Sequence, residues 1–193
     1  MGKSITKEEI AAFEMEEFPG KIVVIENVDL ANEAVSYLSQ FKIIGFDTET
    51  KPAFKKGSFH KVALIQLTTD EACFLFRLNT IGFPKSLIGL LSDSKILKIG
   101  LSLKDDFNSM SRRMKFDPKG FIDLQQIVNK HDIEDISLQK IYALLFYKKI
   151  SKSQRLSNWE ADILTEAQQK YAALDAWACL KIYEKLCLTN KYT

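Results

Sequence analysis

Phe46-Asp47-Thr48-Glu49 closes an apolar stretch, Lys42-Ile43-Ile44-Gly45-Phe46, that reads as a strand. Side chains alternate along a strand, so Asp47 and Glu49 leave it on the same side. Two like charges held together repel, and a divalent cation between them is the economical remedy. Alone, this Asp-x-Glu is weak, because a strand end turning into solvent gives the same pattern. A second acid lies in the last helical pattern. At about 100° per residue, Tyr171, Ala178, Ile182 and Leu186 share one stripe, with Asp175 in its middle. An unpaired charge on a buried face costs several kcal/mol, roughly, so Asp175 needs a partner. A loop cap or an arginine would serve, but Asp47 and Glu49 make a shared cation the better reading. Tyr171 lies one helical turn before Asp175, so its hydroxyl and that carboxylate can face one cavity. The third signal is Lys104-Asp105-Asp106-Phe107. Leu103, Phe107, Met110 and Met114 form an apolar stripe; Asp106 lies about 70° from its centre and Asp105 nearly opposite. Asp106 is therefore the inward acid. Four acids on three elements form an all-oxygen set, which suits Mg²⁺ or Mn²⁺ rather than zinc.

Other chemistries find little support. There is no GxxxxGK[ST] phosphate loop and no Gly-rich dinucleotide fingerprint. The two histidines, His60 and His131, stand in unrelated contexts, which argues against a nucleophile triad.

The elements that must position these acids follow from periodicity. Residues 1–20 read as an acidic, helical lead-in ending at Pro19-Gly20, with Thr6 and Glu9 spaced as a capping box. Met1 to Thr6 also fits a loose myristoylation pattern, for which the capping box is the blander explanation. Strands are expected at about 21–25, 42–46, 62–67, 72–76, 95–99 and 120–122. Helices are expected at about 29–40, 84–91, 103–114, 123–130, 137–146 and 166–188, the last capped by Thr165 and Gln168. The short polar link 68–71 implies an antiparallel hairpin. A strand meander followed by alternating helix and strand indicates an α/β domain with a central mixed sheet flanked by helices.

Composition sets the outer bounds. The chain has 193 residues, 46% of them hydrophobic and 27% charged, enough for one domain with a sizeable core. Its 27 basic and 25 acidic side chains leave a net charge of +2, so affinity for a polyanion must come from local patches. Two such patches are visible. One holds Lys51, Lys55, Lys56, His60 and Lys61, and the other Lys148, Lys149, Lys152 and Arg155, both without an acid. Each alone reads as solvated surface, and that reading weakens if both flank one site. The three cysteines are widely spaced and suggest reduced thiols. The longest apolar run, Ile141 to Tyr147, is too short for a bilayer, and the N-terminus has no signal-peptide core. A cytoplasmic protein is expected.

The residues together resemble the DEDDy 3′–5′ exonucleases of the Werner-syndrome-protein exonuclease type, within the ribonuclease D superfamily. The resemblance rests on Phe46-Asp47-Thr48-Glu49 with Pro52, Val62 to Leu67, Lys98 with Gly100, Leu156-Ser157-Asn158-Trp159, Leu164-Thr165-Glu166 and Tyr171 to Ala176, in order over about residues 20–188. It implies a ribonuclease H-like fold and release of nucleoside monophosphates from 3′ ends, with DNA favoured over RNA. It further implies two bound Mg²⁺ or Mn²⁺. Asp47, Glu49 and Asp175 would hold one, and Asp47 the other with help from Asp106. Tyr171 would orient the attacking water. Thr48, Lys51 and Arg155 are the candidate nucleic-acid contacts. The helicase of Werner-type proteins and the C-terminal helical domain of ribonuclease D do not follow here. A catalytic domain alone is expected, with a helicase or repair partner in trans. RNA 3′-end trimming is the alternative activity. A catalytically silent nucleic-acid-binding module is disfavoured because all four acids and the tyrosine are present.

Overall fold

The computed structural model describes residues 2–55 and 59–188. Thr6 opens helix α1 (Lys7–Ala11) with the expected reciprocal cap: its hydroxyl accepts from Glu9 N at 3.2 Å, and its own N–H donates to Glu9 Oε2 at 2.8 Å. The helical part of the lead-in is limited to these five residues, and strand β1 (Glu14–Met15) follows.

The β-branched and aromatic runs form β2 (Lys21–Ile25), β3 (Ile43–Thr50), β4 (Val62–Thr68), β5 (Ala72–Arg77), β6 (Leu97–Gly100) and β7 (Phe121–Asp123). They make one sheet in the order β2-β5-β4-β3-β6-β7. The pairs β3/β4 and β4/β5 are antiparallel, and β2/β5, β3/β6 and β6/β7 are parallel. The expected meander and mixed sheet are thus present. The connecting helices are α2 (Val28–Leu38), α3 (Leu78–Ile81), α4 (Lys85–Leu91), α5 (Leu103–Ser111), α6 (Leu124–Val128), α7 (Leu138–Phe146) and α8 (Glu166–Tyr183). Strand β8 (Lys148–Lys149) pairs with β1.

Helices cover both faces of the sheet. On one face, Ile44, Phe46, Ile65 and Leu67 pack with residues of α2, α4 and α5. On the other, α8 lies across β3, β4 and β6, and α6 and α7 pack against it. Every residue of α8 from 171 to 180 is buried. The single stripe expected from periodicity is therefore too narrow: α8 is an interior helix, covered all round. Among the described residues, no helix is long and apolar enough to cross a membrane.

Two elements differ from the sequence reading in ways that matter. Strand β3 does not stop at Phe46. It runs on to Thr50, because β4 keeps pairing with it through Asp47↔Gln66, Glu49↔Leu64 and, after a register shift, Thr50↔Val62. The acids are thus inside a paired strand rather than beyond its end. Helix α5 ends at Ser111, three residues short of the expected limit.

Gly45, Asp47 and Glu49 alternate onto the face that α8 covers. A Cβ at Gly45 would strike the carbonyl oxygen of Ala176 and lie 2.6 Å from Thr68 Cγ2. The bare glycine therefore lets α8 approach β3 closely, beside the residue that follows Asp175. Lys98 fixes the neighbouring strand from within. Its fully buried ammonium donates to the carbonyls of Leu90 (3.2 Å), Asp93 (2.7 Å) and Ile96 (2.8 Å), tying the end of α4 to β6. The close approach at Gly45 predicts that Gly45→Ala destabilises the protein by about 1–3 kcal/mol in urea denaturation. It also predicts weaker stabilisation of the folded protein by divalent cations, because α8 and its carboxylate are pushed from β3. Unchanged stability would show that the two elements have room to spare.

Candidate active site

Asp47 and Glu49 leave β3 toward α8, and α8 returns Asp175 between them. One carboxylate oxygen from each of Asp47, Glu49 and Asp175 lies within 4.8 Å of the others. Glu49 and Asp175 are buried, while Asp47 is half-buried. Tyr171, one turn earlier on α8, is also buried and faces the same acids. Its ring lies 6.0 Å from the buried Trp159 ring, centroid to centroid.

Asp106 arrives from the other side. Thr48 projects from the opposite pleat of β3 to Asp47 and Glu49, and its hydroxyl donates to the Asp106 carboxylate. Asp106 is half-buried and Asp105 is exposed, as the helix geometry required. Thr48, a candidate nucleic-acid contact, thus has its hydroxyl engaged by an acid of the site. The start of α5 is held by Asp123 at the end of β7. Its carboxylate accepts from Ser102 N at 3.1 Å, Leu103 N at 3.0 Å and Gln125 N at 2.9 Å, capping α5 and α6 together. Ser102 adopts a left-handed conformation (φ 62°), and its hydroxyl accepts from Gln125 Nε2 at 2.7 Å. Sequence patterning placed Asp123 at the start of an expected helix, about 123–130, and gave it no part in the site.

The loop before α8 is fastened by residues of the motifs that flank the acids. Gln168 donates its amide to Ser157 Oγ (3.0 Å) and the Asn158 carbonyl (3.2 Å). The nearly buried guanidinium of Arg77 donates to Glu26 and to the carbonyls of Ala161 and Asp162. Of the basic patches, Lys148 pairs with Glu16 at 3.0 Å and Lys149 donates to the Ala11 carbonyl at 2.8 Å, so β8 occupies them away from the acids. Lys152 and Arg155 are both exposed, and Lys152 is the cation of that patch whose charge acts on Asp175. Lys51 pairs with Glu160 at 3.5 Å. Lys56 lies outside the described residues.

Crowding dominates the electrostatics. Burial, and then the charges of Asp106 and Asp175, raise the Asp47 carboxyl well above the ordinary carboxylate range. Burial, with Asp47, Asp175 and Asp106 nearby, pushes Glu49 up to about 10. Burial raises Asp175 to about 7 against the opposing pull of Tyr171 and Lys152, and raises Asp106 to about 6 against its bond from Thr48. Tyr171 is pushed upward too, by burial and by Asp175 and Glu49, which keeps its hydroxyl protonated at neutral pH. One further polar group faces this cluster. Gln66 stands directly across the strand pair from Asp47, fully buried, and neither atom of its amide has a hydrogen-bond partner. An unpartnered amide beside crowded carboxylates marks a place whose polar groups are completed by something besides the protein. Hard divalent cations match that all-oxygen donor set.

A family model for the 3′-5′ exonuclease domain matches residues 22–189. The chain belongs to the 3′–5′ exonuclease family. The mouse bifunctional 3′-5′ exonuclease/ATP-dependent helicase WRN is 36% identical over 180 residues, which are 88% of this chain and 13% of that protein. Exonuclease 3′-5′ domain-containing protein 2 of Drosophila melanogaster is 33% identical over 160 residues, 81% of this chain and 27% of that protein. The chain therefore spans only a minor part of the length of these relatives. Escherichia coli RNase D shares the fold with a TM-score of 0.79 at 24% identity, covering 89% of this chain and 45% of that one. The Aedes aegypti Nibbler EXO domain does so with a TM-score of 0.79 at 21% identity, covering 100% and 94%. The ribonuclease H-like architecture expected from the motifs is thus shared with these exonuclease structures.

Domains of the 3′–5′ exonuclease family use divalent metals, and the acidic cluster here fits that use. Its carboxyls bind protons more tightly in the folded chain than in the unfolded one. Their stabilising contribution is therefore complete below the ordinary carboxylate range. It is lost as pH rises through about 6 for Asp106, about 7 for Asp175 and about 10 for Glu49. Metal-free protein should accordingly lose stability between about pH 5 and pH 8 through this site. A cation competes with protons for the same oxygens, so Mn²⁺ should raise Tm more at about pH 8 than at about pH 5.5. Asp175→Asn should raise Tm in EDTA and abolish the Mn²⁺ shift. Differential scanning fluorimetry reads both, and a Mn²⁺ shift independent of pH would contradict the competition.

Proposed function

We propose that this chain hydrolyses the terminal phosphodiester bond at nucleic-acid 3′ ends and releases nucleoside 5′-monophosphates, using two Mg²⁺ or Mn²⁺ ions. The observation that carries this reading is the convergence of Asp47, Glu49 and Asp175 within 4.8 Å, with Tyr171 beside them. Asp47, Glu49 and Asp175 would hold one cation, and Asp47 with Asp106 the other. Such ions supply a more acidic water and neutralise charge on the phosphate and on the departing 3′ oxygen. The protein's own part is positioning, which is what phosphoryl transfer chiefly needs. Tyr171 keeps its proton, so its role is to orient a water by hydrogen bonding rather than to remove a proton. Thr48 holds Asp106 toward the site, and Asp123 holds the helix that carries Asp106. Lys152 places positive charge near Asp175, where an incoming phosphate is drawn, and is a better candidate contact than Arg155.

DNA is the favoured substrate, as the Werner-type resemblance of the motifs implies. RNA is the second reading, and the Trypanosoma brucei RNase D solved with RNA U12 is a fold neighbour. Matched DNA and RNA oligonucleotides labelled at the 5′ end decide between them. With Mg²⁺ or Mn²⁺, the wild-type chain should shorten them stepwise from the 3′ end. Asp47→Ala should release no mononucleotide, and full activity in that variant would refute the assignment. Tyr171→Phe should lower kcat by about 100-fold while the Mn²⁺-induced rise in Tm persists.

A further inference from the structure

The lead-in of residues 2–18 precedes the segment matched by the family model, which begins at residue 22. It is nevertheless tied into the fold at both ends of α7. Near the start of that helix, Lys3 bridges to Ile133, and the Ile5 N–H donates to Asp135 Oδ2 at 2.9 Å. The other oxygen of that carboxylate takes the Lys140 ammonium at 2.6 Å. Beyond the end of the helix, β1 pairs with β8 in the register Glu14↔Lys148 and Met15↔Lys149. The Glu16 carboxylate completes this second tie. It is 13% exposed, accepts from the buried Tyr142 hydroxyl at 2.8 Å through one oxygen and pairs with Lys148 at 3.0 Å through the other. One side chain of the lead-in thus fastens α7 and β8 to each other.

Strand β8 opens the short loop of residues 150–153, which runs between the lead-in and α8. Ile150 and Lys152 line a groove of about 340 Å³ with Lys7, Ile10 and Ala11 of α1. Ser151 and Ser153 line a second, of about 230 Å³, with Glu16 and Phe18 on one side and Tyr171 and Leu174 of α8 on the other. The bonds within the loop are local: the Ser153 N–H donates to Ser151 Oγ at 3.1 Å, and the Arg155 N–H to the Lys152 carbonyl at 3.3 Å. Such bonds shape the turn and leave its placement to β8 and to the buried Ile150. The charge of Lys152 is felt at Asp175 although its side chain is exposed. A long ammonium side chain loses much rotamer freedom when it is held in one direction, so its backbone must be fixed first.

We propose that residues 2–18 form a strap and that Glu16 is a positioning residue: by clasping Tyr142 and Lys148 it fixes the loop 150–153 and so aims Lys152 at a phosphate of the polynucleotide. The proposal rests on the exonuclease reading of the neighbouring acids and adds a determinant of substrate affinity that lies outside the matched segment. The acids themselves do not hang on the strap. They stand on β3 and α8, which β4 and the close approach at Gly45 hold together. Loss of Glu16 therefore acts on the binding of the polynucleotide and not on the cutting of the bond.

Hydrogen exchange of the full chain in EDTA tests the strap without reference to activity. Glu16→Ala should speed exchange of the amides of residues 148–153 about tenfold and leave those of β3 and of α8 around Asp175 unchanged. Anisotropy of a labelled oligonucleotide in EDTA, where metal-dependent hydrolysis does not proceed, reads the aim of Lys152. Glu16→Ala and Lys152→Ala should each weaken binding about fivefold, the worth of one exposed ion pair, and each should lower the slope of log K against log salt by about 1. Glu16→Ala placed on Lys152→Ala should add nothing further. Glu16→Gln keeps the acceptor for Tyr142 and should restore part of the affinity. In Mn²⁺, Glu16→Ala should raise KM by the same factor and keep kcat within about twofold, whereas a merely less stable protein would lose kcat with KM unmoved. Exchange of the loop unchanged by Glu16→Ala, or losses that add in the double variant, overturn the proposal. Failure of the wild type to release mononucleotides, with the exchange and anisotropy results as expected, removes the hydrolytic assignment and leaves the strap. Release with no effect of Glu16→Ala removes the strap alone.

Discussion

Like charges taken out of water are the constraint around which this molecule is arranged. Asp47, Glu49 and Asp175 are brought within 4.8 Å by a strand and a helix that are far apart in the chain. Without a compensating cation they resist ionisation: burial lifts the proton affinity of all three, and repulsion from neighbouring acids adds to it at Asp47 and Glu49. A fold that bears this cost in its centre must hold the carboxylates firmly enough that they do not swing apart. The sheet does so by pairing β3 with β4 through Thr50, and α8 does so by lying against Gly45 with no side chain between. Lys98, buried below with its three carbonyls, stiffens the strand on the other side of β3.

Asp106 is governed by a different balance. It stands on the opposite pleat side, reached through Thr48 rather than through the α8 face. Its helix begins at a left-handed serine whose N–H and hydroxyl are engaged by the Asp123 carboxylate and the Gln125 amide. The three-carboxylate group and Asp106 are therefore supported by separate structures, a central helix in one case and a doubly capped helix start in the other. Separate supports allow Asp106 and the three-carboxylate group to be positioned independently of each other.

The approach to the acids shows the same economy. Glu160 pairs with Lys51 and contacts the His60 ring at the rim, Arg77 anchors the backbone beside it, and Trp159 fills the space under Tyr171. The segment from Leu156 to Leu164 thus links the rim to the tyrosine. This explains why its residues accompany the acids in the family resemblance although none is acidic in the site.

Periodicity of two and of 3.6 residues was enough to read the strand meander, the mixed sheet, the capped final helix and the burial of Asp175 from the chain alone. Helix geometry also placed Asp106 inward and Asp105 outward. These features depend on residues close in sequence, where local geometry and hydrophobic pattern decide. Tertiary structure alone decided the rest. Pairing with β4 carried β3 through Asp47 and Glu49, where polar residues end the local strand signal. The pairing of β8 with β1 drew Lys148 and Lys149 away from the site, and the fold turned Lys152 toward Asp175. The unpartnered amide of Gln66 acquires meaning only from its register opposite Asp47. A groove between the basic loops exists because two segments a hundred residues apart meet. A pattern along the chain records which way a side chain faces within its own element; which foreign side chain it then meets is set by packing, and the chemistry of crowded charges begins only there.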